Sequence, residues 1–329
     1  MGVVTQAEQS PGQDPTAAAW LALLAAAGRG TSVAADAEPA RAQAAGWLRR
    51  DADGGWQMHP DLPQAARDLI SLYLPLCAAD GDGWVVGHLG QSLDGCIATH
   101  AGESCFVTGP DNILHLHRMR ALCDAVIVGA GTVANDNPRL TTRLVPGPSP
   151  VRVVLDPSGR LGAEHRLFQD AAAPTLICIA EHAQPATAPG AADLLALPTD
   201  RDGLRLDALV TALAARGLTR LFVEGGGVTV SRFLAAGLLS RLQIAVAPLF
   251  IGQGRPGLSL PRAERLEDAL RLAPRVFRMG ADMFYDLGLA PTNAGRAEGE
   301  AAPGGEAVPG GEAVSGAPPD ARGVLSRVL

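Results

Sequence analysis

The chain has 329 residues, 47% hydrophobic but only 4% aromatic, with a formal net charge of −7. That length suits one large or two modest domains with a sizeable core. An apolar mass made of Ala, Leu and Val fits an α/β protein better than a β-sandwich, and the negative charge argues against a nucleic-acid backbone as main partner. All 27 basic residues are Arg. A P-loop lysine and a lysine Schiff base are therefore excluded, and any anion must be held by Arg, hydroxyls or backbone N–H groups. Five cysteines (Cys77, Cys96, Cys105, Cys123, Cys178) include no C-x-x-C pair. The chain reads as a reduced, cytoplasmic protein with neither a disulfide frame nor a metal site.

Residues 1–80 read as a small helical N-terminal region, with helices near 15–28, 38–48 and 61–73. The apolar run from Thr16 to Gly28 follows Glu8 and Asp14 rather than a basic stretch and is too short to span a membrane, so a helix is expected instead of a signal segment. Trp47 to Trp56 predicts a hairpin around Asp53-Gly54-Gly55. A helix-plus-hairpin region could bind nucleic acid or a partner, but five Arg against nine Asp plus Glu is the wrong sign for a DNA-binding face. A cover packed on the rest of the chain is expected.

Residues 81–289 form the main domain. Strands are predicted at Trp84–Leu89, Ala125–Gly129, Val151–Leu155, Thr175–Ala180, Arg220–Val223, Leu242–Ala247, Arg275–Met279 and Met283–Leu287. Helices are predicted at Pro110–Leu122, Leu204–Arg216, Val228–Ala236 and Leu266–Leu270. Apolar strands alternating with helices imply a mostly parallel sheet covered on both faces, and the last two strands, with no helix between them, imply an antiparallel edge. Residues 290–329 repeat Pro-Gly-Gly-Glu-Ala-Val and lack the apolar mass to fold, so a disordered tail is expected.

Four segments carry candidate chemistry. Gly90-Gln91-Ser92-Leu93-Asp94-Gly95 is a turn at the carboxyl end of a strand, where ligands of open α/β sheets sit. Gly102-Glu103-Ser104, with Thr108-Gly109-Pro110, offers hydroxyls and a helix N-terminus suited to an anion. The helix it opens carries His115, His117, Arg118 and Arg120, and its two histidines are two apart, so they make no zinc pair. Gly129-Ala130-Gly131-Thr132 runs on through Asp136, Pro138-Arg139-Leu140-Thr141 and Arg143; it is not the G-x-G-x-x-G fingerprint, because Ala134 holds the last position. Glu224-Gly225-Gly226-Gly227 joins a buried strand to a helix whose N-terminus can cradle a phosphate, and Glu224 is a candidate for contacting substrate.

In this order the four segments resemble the reductase domain of the riboflavin-biosynthesis family over about residues 83–289. The resemblance implies a dihydrofolate-reductase-like three-layer α/β fold, usually a homodimer, that uses NADPH to reduce 5-amino-6-(5-phosphoribosylamino)uracil. It implies cofactor contacts at Gly90, Phe106, Thr132, Asp136, Gly226, Gly227, Val228, Thr229, Val230, Ser231 and Arg232. It implies substrate contacts at Ser104, Arg120, Leu140, Arg143 and Glu224, with Arg120 and Arg143 as phosphate ligands. Hydride would reach C1′ of the ring-opened imine, with Asp136 and Glu224 as candidate catalytic groups and Asp136 or a water supplying the proton. Arg152 and Arg160 are candidates for a cofactor 2′-phosphate.

There are departures. Phe106 stands where family members usually carry Trp, and Gly90-Gln91 replaces an Ala-Met type pair. No H-x-E with P-C-x-x-C deaminase signature occurs, so no deaminase activity is expected. The same fold acting on another pyrimidine or pterin-like compound is the alternative reading.

Overall fold

The computed structural model describes residues 14–29, 44, 46–77, 83–105, 107–183 and 188–289. The 290–329 tail, Phe106 and most of the predicted 38–48 helix lie outside the described residues.

Helix α1 (Pro15–Ala26) starts where its sequence signals say. The Asp14 carboxylate accepts from Thr16 N at 2.8 Å, and Pro15 occupies the first turn. The predicted hairpin forms from β1 (Leu48–Arg50) and β2 (Trp56–Met58), with Arg50 opposite Trp56 and Asp51 accepting from Gly55 N at 2.6 Å. Leu48, expected at a helix end, therefore opens a strand instead. Helix α2 (Gln64–Cys77) completes this region.

The main sheet has nine strands. In chain order they are β3 (Trp84–Ser92), β5 (Ala125–Gly129), β6 (Val151–Leu155), β7 (Thr175–Ala180), β8 (Asp193–Leu197), β11 (Arg220–Glu224), β12 (Arg241–Ala247), β14 (Pro274–Met279) and β15 (Asp282–Gly288). Their spatial order is β14-β15-β12-β3-β11-β5-β6-β7-β8. All pairings from β12 to β8 are parallel, and β15 and β14 add the expected antiparallel edge. Short strands β4 (Cys96–Ala98) and β13 (Arg255–Pro256) pair beside the sheet, and β9 (Thr199–Asp200) pairs with β10 (Gly203–Leu204).

Helices cover both faces, as a mostly parallel sheet requires. One face buries α3 (Pro110–Leu122), α4 (Ala130–Asp136) and α5 (Arg166–Gln169) together with α1 and α2; the other buries α6 (Leu206–Ala214) and α7 (Gly227–Ala235). Sequence patterning missed β4, β8, β9, β10, β13, α4 and α5, and Leu204, expected to open a helix, closes β10 instead. The helix expected at Leu266–Leu270 does not form. Leu266 is 81% and Leu270 60% exposed, so the segment has no apolar face to bury and nothing to offset the cost of helix nucleation.

The N-terminal region packs as a layer on α3 and shares its apolar core with the sheet. Trp20 Nε1 donates to Pro146 O at 2.9 Å, Arg29 pairs with Asp124, and Arg220 donates to Ala27 O at 2.7 Å. The Arg118 guanidinium of α3 lies 5.9 Å from the ring centroids of both Trp20 and Tyr73. Tyr73 Oη bonds His115 Nδ1 at 2.7 Å.

Deleting residues 1–80 should strip the cover from α3 and cause aggregation on expression; a soluble truncated protein of unchanged thermal midpoint would show the layer to be dispensable. Tyr73→Phe, which leaves a buried acceptor unsatisfied, should cost about 1–3 kcal/mol in urea denaturation.

Candidate active site

The carboxyl ends of β3, β5, β6 and β11 open into a cleft of about 860 Å³, within the size range of ligand sites. Its walls bring together residues from all four sequence segments: Gly90; Gly102 and Ser104; Gly129, Thr132 and Asp136; and Glu224 to Thr229.

Two glycine turns lie side by side because β5 and β11 are parallel neighbours. Each enters a helix, α4 or α7, whose cap residue (Gly129 or Gly226) makes no side-chain cap bond. Gly225 has φ +101°, a conformation suited to glycine. At Gly227 a Cβ would lie 1.9 Å from Gly257 O, so only glycine allows that approach. Thr132 Oγ1 accepts from Gly226 N at 3.3 Å and ties the turns together. Ser104 Oγ donates to Asp136 Oδ1 at 3.1 Å, joining the second segment to the third.

The Ser92–Gly95 turn acts as a fastener. Asp94 accepts from Ser92 Oγ, from Gly252 N at 2.6 Å and from Ile251 N at 3.2 Å, and these bonds hold its carboxyl below the usual range, the Ser92 bond contributing most. Gly257 N donates to Gly95 O at 2.8 Å. The first segment thereby anchors the loop that presses on Gly227 of the fourth.

Helix α3 supplies the floor. Glu224 on β11, His88 on β3 and Gln243 on β12 stand abreast in the strand register. Each bonds one residue of α3. Arg120 grips both Glu224 oxygens, with Nε to Oε2 at 2.8 Å. His88 Nε2 meets Asn112 Oδ1 at 3.0 Å, and His115 Nε2 meets Gln243 Oε1 at 3.0 Å. Burial pushes the His88 imidazole down to about 4, against a smaller upward pull from its Asn112 bond. Burial, and then His88, hold His115 well below its ordinary value. The rings of His88 and His115 lie 5.3 Å apart, an arrangement that suits two neutral imidazoles.

Of the predicted site residues, Gly90, Ser104, Thr132, Asp136, Glu224, Gly226, Gly227, Val228, Thr229 and Arg232 line the cleft. Val230 and Ser231 do not: Val230 is in the core and Ser231 Oγ accepts from Ser259 N at 2.9 Å. They fall on the inward face of α7, which a linear motif does not distinguish. Arg120 and Leu140 are buried behind the cleft, and Arg120 is committed to Glu224 rather than free for a phosphate. Leu140 has φ +56° and turns its loop so that Thr141 O accepts from both Arg120 and Arg143. Burial, and then Arg120 and Arg139, lower the Arg143 pKa. Arg152 is the clearest correction. It is 1% exposed and bonded to Asp170 and Ala173 O, out of reach of any cofactor, whereas Arg160 lines the cleft. The sequence reading missed His88 and Asn112, since neither belongs to a motif.

Arg120→Met should cost about 3–5 kcal/mol, because it strands a buried Glu224 charge, and Arg120→Met/Glu224→Met should recover most of that loss in denaturant unfolding. A double variant no more stable than the single one would contradict this balance. Acid should also destabilise the fold. His88 protonates near 6.5 when unfolded but only near 4 when folded, so the stability present above 6.5 is lost as pH falls through that window. Between pH 7 and 5 His88 alone should remove about 2 kcal/mol, and denaturation midpoints flat over that range would refute its buried neutral state.

Comparison with known proteins places this geometry. Residues 83–274 match the model of the RibD C-terminal domain. The 2,5-diamino-6-ribosylamino-4(3H)-pyrimidinone 5′-phosphate reductase of Methanothermobacter thermautotrophicus is 35% identical over 213 residues, which are 62% of this chain and 96% of that protein. The riboflavin biosynthesis protein RibD of Bacillus amyloliquefaciens is 34% identical over 197 residues, 58% of this chain and 52% of that protein. The chain thus spans nearly all of the first relative and about half of the second. Among solved structures, RibD of Acinetobacter baumannii superposes with a TM-score of 0.57 at 24% identity, over 69% of this chain and 63% of that one, a likeness of fold. With its matched segment covering more than half of its length, the chain belongs to the RibD C-terminal domain family.

Proposed function

We propose that this chain is a nicotinamide-dependent reductase of riboflavin biosynthesis that reduces the ribosylamino carbon of a phosphoribosylaminopyrimidine. The observation that carries this reading is the meeting of two glycine turns with Glu224, Asp136 and Ser104 in one cleft, in a chain of this family. The substrate ring is either the uracil of 5-amino-6-(5-phosphoribosylamino)uracil or the 2-amino ring named for the archaeal relative.

The residues fit a dinucleotide. The N–H groups at the start of α7, uncapped by any side chain, suit its pyrophosphate. Arg160 and Ser158 line the cleft at the end of β6 and would hold a 2′-phosphate, which favours NADPH. When bound, the cofactor supplies the hydride. Glu224, oriented by Arg120, accepts N–H groups of the pyrimidine ring and fixes the ring's orientation. A water held at Asp136, itself fixed by Ser104 at the cleft rim, would give the proton to the substrate nitrogen. Arg143, which is exposed outside the cleft lining and bonds Thr141 O and Oγ1, would have to turn inward to take the substrate phosphate. The exposed side chains of Leu93, Phe250 and Leu266 support a homodimer, which sedimentation at varied concentration tests.

The purified protein should oxidise NADPH on addition of either phosphoribosylaminopyrimidine. No oxidation with either compound, while NADPH binding persists, would remove this substrate class. Arg160→Ala should lower kcat/KM for NADPH by about tenfold and leave NADH unaffected; an equal loss for both would remove the 2′-phosphate contact.

A further inference from the structure

Arg255 is a cation of the cleft for which the mechanism above has no use. It opens the short strand β13, stands opposite Ala98 of β4 and lines the cleft. Among the described residues Arg160, Arg232 and Arg255 are the arginines of that lining. Arg232 is committed to Leu204 O, to which it donates at 2.7 Å. The Arg255 guanidinium, among the described residues, has neither a hydrogen bond nor an ion pair. Glu224 and Asp136, carboxylates of the same lining, are bound to Arg120 and Ser104 instead. A full positive charge with five N–H donors therefore stands in the cleft without a counter-ion.

The backbone that carries Arg255 is fixed. Gly257 N donates to Gly95 O at 2.8 Å, and Ser259 N donates to Ser231 Oγ of α7 at 2.9 Å. A Cβ on Gly227 would lie 2.8 Å from Pro256 O, so the residue after Arg255 rests against the first residue of α7. That helix start lines the cleft, has no side-chain cap, and leaves its first-turn N–H groups without an intrahelical acceptor. The far end of the Arg255 side chain lies against another segment of the wall. A Cβ on Gly102 would lie 2.9 Å from its Nη2, and Gly102 has φ +94°. The glycine of Gly102-Glu103-Ser104 thus makes room for the guanidinium, which reaches from the start of α7 to the segment that carries Ser104.

We propose that Arg255 is a cofactor-binding residue that grips, together with the start of α7, the diphosphate of the nicotinamide dinucleotide. The inference rests on the reductase reading for its choice of ligand. A helix start and a guanidinium are both positive, and side by side they repel each other unless an anion joins them. A diphosphate answers both at once: the helix supplies backbone N–H donors, and the guanidinium supplies charge and a planar fork that matches phosphate oxygens. In a chain without lysine this work falls to arginine. The anchor is already set by Gly95, Gly227 and Ser231, so binding has only the Arg255 side chain to order, which keeps the entropic cost small. The diphosphate is common to NADPH and NADH. Arg255 therefore serves both, whereas a contact to the 2′-phosphate serves NADPH alone.

The test is titration of the full chain, without substrate, with NADPH and with NADH, followed by the fluorescence of the reduced nicotinamide. Arg255 is exposed, so its replacement should leave the thermal melt unchanged. Arg255→Ala should weaken both nucleotides by about tenfold, and Arg255→Glu, which reverses the charge, should weaken both further. The phosphorylated pyrimidine, titrated by calorimetry without nicotinamide, should bind Arg255→Ala as it binds the unaltered chain. Unchanged nucleotide binding by Arg255→Ala overturns the proposal. So does a loss confined to NADPH, which would put the guanidinium at the 2′-phosphate, or an equal loss of the pyrimidine, which would put it at the substrate phosphate. An Arg255→Glu protein that binds no more weakly than Arg255→Ala overturns it as well. If the unaltered chain binds neither nucleotide, the reductase reading falls together with the proposal. If it oxidises NADPH on addition of substrate while Arg255→Ala binds both nucleotides equally well, the proposal alone falls.

Discussion

Three bonds between helix α3 and the sheet organise this molecule: Arg120 to Glu224, Asn112 to His88 and His115 to Gln243. The strand partners stand abreast on β11, β3 and β12, where an all-parallel sheet would ordinarily bury only apolar side chains. A polar row of this kind stabilises little in itself, because desolvation opposes each bond. What it gives is register. Sliding α3 by one residue would leave several buried polar groups without partners at once, at a cost of about 1–3 kcal/mol each. The helix therefore has one seat, and Glu224, His88 and Asn112 keep one arrangement at the cleft floor.

The other side of the cleft is held by glycine and by a turn. Gly227 is the only residue type that tolerates Gly257 O against its Cα, and the 251–257 loop is itself pinned by Asp94 and Gly95. The Ser92–Gly95 and Glu224–Gly227 segments, far apart in the chain, are thus parts of one mechanical unit. This explains why a motif such as Ser-Leu-Asp-Gly can mark the site without lining it: Ser92 and Asp94 act through the loop they hold.

Much of the fold was legible. Strands β5, β6 and β7 and helix α3 lie where apolar runs, Pro110 and the glycine stops put them. The sequence offers Gly129 and Gly131 as the end of a strand and predicts no helix after them, yet Ala130–Asp136 forms a short helix whose Val133 is buried. Strand β8 lacks β-branched residues and is exposed over most of its length, so no local pattern announces it. For the site, motif order found the cleft, because each motif is a backbone device needed at one strand end. It could not show that Arg120 would be claimed by Glu224, 104 residues away, or that Arg152 would turn toward Asp170. Those outcomes depend on which charges meet after the chain has folded.

Arg275 links the edge hairpin to the N-terminal layer. It donates to Ser71 O at 2.6 Å and to Leu72 O at 3.3 Å, and it pairs with Asp286, which Gln243 also bonds. A continuous polar chain thus runs from α2 through β15 and β12 to α3. Elements at the ends of a chain are ordinarily the first to fray. Here α2 and β15 cannot open without breaking each other's bonds and disturbing the seat of α3. The periphery should therefore exchange its amide protons in step with the core, making α2, the edge strands and α3 a single cooperative unit rather than a stable centre with loose margins.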